Sequence, residues 1–136
     1  MSQLKCVVVT PEATALEQEA TFIVLPLFDG EIGIAPGRGP LIGRLGYGEM
    51  RVKTSQGTDT YYVDGGFVQV VDNVVSVLTG KAIKAGKIDL PHAERQLKEA
   101  NRRLASTQEL LEIRERLVQQ ARGQIRVARR QSGPPH

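Results

Sequence analysis

Aromatic side chains are scarce in this chain of 136 residues, which contains no tryptophan, three tyrosines and three phenylalanines. Sugar-binding platforms and the energetic centres of protein interfaces rely heavily on tryptophan and tyrosine. The scarcity therefore argues against a carbohydrate- or peptide-binding module. That alternative, a β-sandwich with a dimerising helical tail, stays open at this point.

Cysteine and histidine are equally rare. The single cysteine, Cys6, lies in an apolar run and has no intrachain partner, so we expect a buried thiol in a protein made in a reducing compartment. His92 and His136 are far apart and have no cysteine nearby, so a zinc site would lack ligands.

Neighbouring carboxylates such as Asp29 and Glu31 have no accompanying nucleophile, and no phosphate-binding loop occurs. The sequence therefore predicts a protein that is not an enzyme.

Long apolar stretches are also missing. No run approaches the ~18 apolar residues that mark a membrane span, and the apolar run before Pro11 is too short for a secretory signal. We therefore expect a soluble protein without direct membrane insertion. The absence of a transit peptide favours a bacterial or plastid-encoded origin.

Charge is distributed unevenly along the chain. Residues 1–80 hold five basic and nine acidic side chains, a net charge of −4, so residues 81–136 carry +7 within the total of +3. The split predicts two modules, the second suited to an acidic partner. A nucleic-acid-binding module is an alternative, but the basic half contains no aromatic residue for base stacking.

The first module has the pattern of a β-protein, because short runs rich in β-branched residues recur at spacings of about ten. Residues 4–10 and 21–27 are two such runs, whereas two prolines and two glycines in residues 36–40 predict a loop. Turns at residues 55–57 and at Asp72-Asn73 predict hairpins. We expect a meander of about eight to ten short strands that closes as a β-sandwich or flattened barrel.

After Gly86 the apolar period becomes helical. Apolar residues at spacings of three and four define a first helix: Leu90, Ala93, Leu97, Ala100 and Leu104. Asp89 can cap its start, and Ser106 with Glu109 fits the capping box of a second helix, which the run Gly133-Pro134-Pro135 ends. The predicted fold class is therefore α+β, with a β-domain over residues 1–86 and an antiparallel, weakly docked helical hairpin over residues 87–136.

Several segments together resemble a known family. Residues 30–41, GEIGIAPGRGPL, resemble the G-E-x-G-x-x-P-G-H-x-P-L signature of the epsilon subunits of bacterial and chloroplast ATP synthases. Residues 62–70, YVDGGFVQV, are similar to the family's G-G-F-x-E-V segment, and residues 48–52 and 74–78 match further in the family's order. The resemblance spans nearly the whole chain.

The resemblance implies a non-catalytic subunit of the central stalk of a rotary F-type ATP synthase, on the cytoplasmic face of the bacterial inner membrane. Such a subunit helps to couple proton translocation through the membrane ring to ATP synthesis, although the ring itself selects proton or sodium. In the family, the β-sandwich clamps the gamma subunit and sits on the ring. The hairpin folds down, or extends into the alpha and beta subunits of the catalytic head and inhibits ATP hydrolysis.

The resemblance also assigns roles to individual residues. Glu31 matches the glutamate that meets the polar loops of the ring. Gly37, Arg38 and Pro40 belong to the loop that faces gamma and the ring, and Arg38 stands where the family usually has histidine. No catalytic residue, metal ligand or required cofactor is implied.

Some family members bind regulatory ATP in the hairpin through the motif I-D-x-x-R-A and later arginines. The corresponding residues here are Ile88, Asp89 and His92, with Arg122 and Arg126 downstream. His92 replaces the motif's arginine and so lacks its fixed charge and bidentate fork. Binding of ATP by the hairpin is therefore a hypothesis that depends on these five residues.

Overall fold

The computed structural model describes residues 3–132, which divide into two compact units between Lys84 and Ala85. The first unit contains eight strands: β1 (Leu4–Val9), β2 (Thr14–Ala20), β3 (Phe22–Leu27), β4 (Gly30–Ile34), β5 (Leu41–Thr54), β6 (Gly57–Val71), β7 (Val74–Leu78) and β8 (Ala82–Lys84). The second contains a 3-10 turn at Ala85–Lys87 and the helices α1 (Leu90–Arg102) and α2 (Gln108–Ser132).

The strands form one sheet in the order β2-β1-β7-β6-β5-β3-β4, with β8 paired to β6. Every pairing is antiparallel except that of β1 with β7, which is parallel. The expected simple meander is therefore wrong at its first two strands, which lie beyond β7, and at β4, which is separated from β5 by β3. A parallel pair needs a long crossover, and β2 to β6 supply it here.

Two long strands allow this sheet to fold over on itself. The last part of β6 lies between β7 and the first part of β5. The first part of β6 pairs instead with β8 and with the last part of β5, which in turn pairs with β3. The change occurs at Gly65 and Gly66, whose φ angles of 68° and 104° suit glycine. The glycine pair bends β6 without ending it.

The core lies between the two parts of the folded sheet. Its buried residues come from both parts: Leu4, Cys6, Val8, Leu45, Val68, Val70, Val75 and Val77 from one, and Ile23, Leu25, Ile34, Met50, Val52, Tyr61 and Val63 from the other. This arrangement of eight strands around one core, followed by two helices, confirms the predicted fold class. Cys6 is fully buried, as expected.

Helix α1 begins where the sequence predicts, because Oδ1 of Asp89 accepts a hydrogen bond of 3.0 Å from the backbone amide of His92. Its end differs from the prediction. The extended backbone of Arg103 turns the chain away, and Leu104, expected on the apolar stripe, is 85% exposed.

Helix α2 is capped by Thr107 rather than by Ser106. Oγ1 of Thr107 accepts a hydrogen bond of 3.1 Å from the amide of Leu110, three residues along. Glu109 is then the second helical residue and cannot complete the predicted capping box, which needs an acid at the third. The predicted stop at Gly133-Pro134-Pro135 and His136 lie outside the described residues.

Charged side chains recur along both helices. Between residues 3 and 132, no helix is long and apolar enough to cross a membrane.

Candidate functional site

The loop that follows β4 presents the predicted partner-facing residues. Gly37 has a φ of 88°, and the backbone amide of Arg38 donates to the carbonyl of Ala35 across a tight turn, at 3.2 Å. The side chains of Arg38 and Pro40 are exposed. The sequence thus places these residues correctly on an exposed loop, while their roles remain predictions.

A side chain that sequence reasoning treated only as a turn residue anchors this loop. Oδ1 of Asn73 accepts a hydrogen bond of 2.8 Å from the amide of Gly37. The carbonyl of Asn73 accepts another of 2.8 Å from the amide of Lys5. Asn73 therefore joins the β6–β7 turn to the loop and to the start of β1.

The predicted ring-contact residue, Glu31, is exposed on β4 and faces an arginine of β5. Nη1 of Arg51 lies 3.5 Å from Oε2 of Glu31 and 2.5 Å from Oε1 of Glu49. The Glu49 side chain is largely buried, whereas that of Glu31 is exposed. The exposed pair with Glu31 contributes little stability, so its main effect is to restrict where the Glu31 carboxylate points. Arg51 was not identified from the sequence, because its partner is twenty residues away.

One outer face of the sheet carries exposed apolar side chains. Phe67 lies opposite Arg44 on one side and Leu78 on the other in the strand pairing, and Ile42 precedes Arg44 by two residues on the same face. Ile42 is 76% exposed, Phe67 59% and Phe28 68%, and Leu78 is also exposed. We call Phe28, Ile42, Phe67 and Leu78 the outer apolar face. Contiguous exposed apolar residues of this kind mark interaction surfaces.

Arg44 lies within this face and contacts Phe28 in two ways. Its guanidinium carbon is 5.2 Å from the centroid of the Phe28 ring, which is a cation–π distance. Its carbonyl accepts a hydrogen bond of 2.9 Å from the amide of Phe28. The sequence did not reveal this surface. Apolar residues occupy both alternating sets of positions in this part of β5 and β6, so only the strand pairing shows which set faces outward.

The helical unit is an antiparallel hairpin, as predicted. Nη2 of Arg129, near the end of α2, lies 3.2 Å from Oε2 of Glu94, near the start of α1. At the other end, Nη1 of Arg114 donates to the carbonyl of Arg103 at 3.4 Å. Small side chains are buried along both helices: Ala93, Ala100, Ala121 and Ala128.

The five residues of the hypothetical ATP site fit a nucleotide only in part. The carboxylate of Asp89 already caps α1, and His92 is exposed without the charged fork of an arginine. Arg122 and Arg126 are exposed on α2, seven and three residues before Arg129, so helical geometry places all three on one side. Two arginines could therefore contact phosphates. No cluster of potential metal ligands occurs in the described part of the chain.

Comparison with known proteins gives consistent relatives. Residues 3–85 match the family model described as ATP synthase, Delta/Epsilon chain, beta-sandwich domain. An ATP synthase epsilon chain of Rhodopirellula baltica is 52% identical over 93% of this chain and 98% of its own length. A sodium ion specific ATP synthase epsilon chain of Propionigenium modestum is 28% identical over 94% of this chain and 95% of its own.

Among solved structures, a chain of the mitochondrial ATP synthase of Euglena gracilis, described as OSCP/F1/c-ring in rotational state 1, shares the fold. Its TM-score is 0.80 at 22% identity, and the match covers 90% of this chain and 79% of that one. These relatives give no support to a nucleic-acid or peptide-binding module.

Proposed function

The chain belongs to the ATP synthase delta/epsilon chain family, and from this membership we propose that it acts as a non-catalytic epsilon subunit in the central stalk of a rotary ATP synthase. It would contribute to coupling ion translocation through the membrane ring to ATP synthesis. The complex would hold it as a peripheral protein on the cytoplasmic face of the bacterial inner membrane. No cofactor is required for this role.

The outer apolar face is the observation that carries the proposal, and we assign it to the gamma subunit. A stalk clamp must present a preformed surface, and strands β5, β6 and β7 hold Ile42, Phe67 and Leu78 on one rigid sheet. Burying such side chains removes apolar area from water and stabilises the complex. The anchored loop with Arg38 would contact gamma and the ring.

Glu31 is the proposed contact with the polar loops of the ring. Its exposed carboxylate can accept hydrogen bonds from backbone amides or polar side chains of a partner, while Arg51 limits its orientation. The residues of the loop, Gly37, Arg38 and Pro40, would lie at the same contact region. This assignment extends the family membership to single residues.

The helical hairpin is the proposed brake on ATP hydrolysis, through contacts with the alpha and beta subunits. The exposed arginines of α2, including Arg122 and Arg126, would attract acidic segments of those subunits. Buried side chains, most of them small, lie along both helices, and an exposed ion pair joins Glu94 to Arg129. An exposed ion pair adds little stability, so a partner can compete with it.

ATP hydrolysis by a reconstituted alpha-beta-gamma complex tests both assignments. The full chain is compared with a version that ends after Gly86. The core of the β-unit contains no residue beyond Ala82, so the shortened chain should fold. We expect both versions to bind the complex and only the full chain to slow hydrolysis.

Each half of the proposal can fail separately. Inhibition by the shortened chain would remove the hairpin from the brake. Failure of both versions to associate would contradict the stalk assignment. A full chain with Arg122 and Arg126 both changed to Gln serves as a control for charge, since it keeps both helices and should inhibit less.

We propose that the hairpin binds ATP weakly, through Arg122 and Arg126 together with Ile88, Asp89 and His92. Titration calorimetry at millimolar ATP should give a small signal. The variant His92→Arg should bind more tightly, because it adds a bidentate donor for phosphate. Absence of heat for both proteins would contradict the site.

A further inference from the structure

Arg44 is a charged residue surrounded by the outer apolar face. In the strand pairing it lies directly opposite Phe67, and Ile42 is its same-face neighbour on β5. On its other side, the Phe28 ring lies 5.2 Å from the guanidinium carbon. The flanking residue Leu45 is buried, which shows that Arg44 points to the outer side of the sheet.

No carboxylate of residues 3–132 forms an ion pair with this guanidinium. Among residues 3–132, the ion pairs of the sheet unit join Lys5 to Glu17 and Arg51 to Glu31 and Glu49, and none includes Arg44. The guanidinium contacts the Phe28 ring. The isolated chain therefore leaves the five donors of this guanidinium to water.

Docking a partner on the outer apolar face would remove that water. Burying a charge without a partner is strongly unfavourable, and this cost would cancel much of the gain from covering Phe67 and Ile42. The cost disappears if the partner supplies a carboxylate, since arginine and carboxylate can form two parallel hydrogen bonds. An apolar partner surface with one acidic residue is the matching chemistry.

We propose that Arg44 determines the specificity of the outer apolar face by binding a carboxylate side chain of the gamma subunit. This inference rests on the proposed docking of gamma. Phe28 acts as a positioning residue: its ring holds the guanidinium by a cation–π contact, and its amide ties the start of the β3–β4 turn to Arg44. Arginine stacked on an aromatic ring is a frequent centre of binding energy in interfaces.

The test measures the affinity of the full chain for an alpha-beta-gamma complex between about 0.05 and 0.5 M salt. Arg44→Gln should weaken binding about 30-fold or more at low salt and flatten the salt dependence, because the charge pair is lost. The affinity of Arg44→Lys should lie between those of Arg44→Gln and the unchanged chain, since lysine keeps the charge but cannot form two parallel hydrogen bonds. Arg44→Glu should bind more weakly than Arg44→Gln.

Lys53→Gln is the matched control. It removes the same charge from the same strand and from above another ring, that of Phe22 at 5.6 Å, but Lys53 pairs with Thr58 and lies outside the outer apolar face. We expect its affinity and salt dependence to equal those of the unchanged chain. Denaturation curves of each variant show that it is folded.

Phe67→Ser separates the two levels of the proposal. If Phe67→Ser binds gamma as tightly as the unchanged chain does, the docking face is wrong and the inference falls with it. If Phe67→Ser binds more weakly but Arg44→Gln binds as tightly as the unchanged chain, gamma docks on the outer apolar face but supplies no carboxylate to Arg44. Weakened binding of Arg44→Gln with an unchanged salt dependence would also contradict the carboxylate, since packing alone would explain it.

Discussion

The side-chain oxygen of Asn73 accepts a hydrogen bond of 2.8 Å from the backbone amide of Gly37 and so ties the β6–β7 turn to the loop that presents Arg38. Asn73 has a φ of 65°, a conformation that asparagine tolerates better than most residues. One side chain thus serves both the turn and the loop. The geometry of the proposed partner-facing loop therefore depends on a turn that lies thirty-six residues further along the chain.

Replacing Asn73 tests its combined role in the turn and in anchoring the loop. Asn73→Ala loses the hydrogen bond and forces alanine into the left-handed region, so we expect a loss of about 2 kcal/mol in the free energy of unfolding. Asn73→Asp keeps an acceptor and tolerates this φ, and should lose less than about 1 kcal/mol. Urea denaturation measures both values. Equal stability of Asn73→Ala and the unchanged protein would contradict the anchoring role.

Gly66 is predicted to be intolerant of any side chain. A Cβ atom there would lie 1.8 Å from the carbonyl oxygen of Leu78, and its φ of 104° is unfavourable for other residues. Gly66→Ala should therefore lose about 3 kcal/mol or more, because backbone on both sides would have to move. Gly39→Ala is the control, as a Cβ at Gly39 meets nothing within 4 Å. Thermal unfolding of the two variants should differ clearly, and similar midpoints would rule out this packing constraint.

The capping of α2 gives a test at two adjacent residues. Thr107→Ala removes the acceptor of the Leu110 amide and should cost about 1 kcal/mol. Ser106→Ala removes a hydroxyl that does not cap the helix and should change stability by less than about 0.5 kcal/mol. Circular dichroism during urea denaturation follows the helices directly. A larger loss of stability in Ser106→Ala than in Thr107→Ala would instead support the capping box that the sequence predicts.

Burial raises the pKa of the Cys6 thiol to about 12. In the unfolded chain the thiol ionises near its ordinary pKa of about 8.5, so the unfolded state releases a proton that the folded state retains. The free energy of unfolding should therefore fall as pH rises from about 9 toward 12, by up to about 1.4 kcal/mol per pH unit. Below pH 8 this contribution is fully present.

Cys6→Ala isolates the effect, because it removes the thiol and leaves other titrating groups in place. The stability difference between the unchanged protein and Cys6→Ala should shrink with rising pH in this window. A difference that stays constant up to pH 11 would show that the thiol ionises in the folded state as well. Thiol-specific reagents should react with Cys6 only after unfolding.

Local signals in the sequence were sufficient for several elements. Asp72 and Asn73 specify a two-residue turn, and both have the positive φ that such a turn needs. Asp89 specifies the start of α1 by hydrogen bonding within one helical turn. The change from a strand period to a helix period near Gly86 reveals two units. These features depend on residues that are neighbours in sequence.

Other local signals were misleading by a residue or two. Ser106 and Thr107 are both good capping residues, and only the path of the chain after Arg103 selects Thr107. Leu104 has the spacing of the α1 stripe but lies beyond the point where the helix ends. Neighbouring residues often have similar preferences for capping or ending a helix, so packing decides between them.

Sequence patterns are sufficient to predict the β-then-helix order, the family and the exposed loop at residues 36–40. The three-dimensional fold is needed to find the parallel pairing of β1 with β7, the edge position of the polar strand β2 and the contact of Arg51 with Glu31. It also showed that Arg44 and Phe67 share an outward face. Strand register fixes these relationships, and it results from the pairing of residues that are distant in sequence. A shift of one residue would move every side chain of a strand to the opposite face of the sheet.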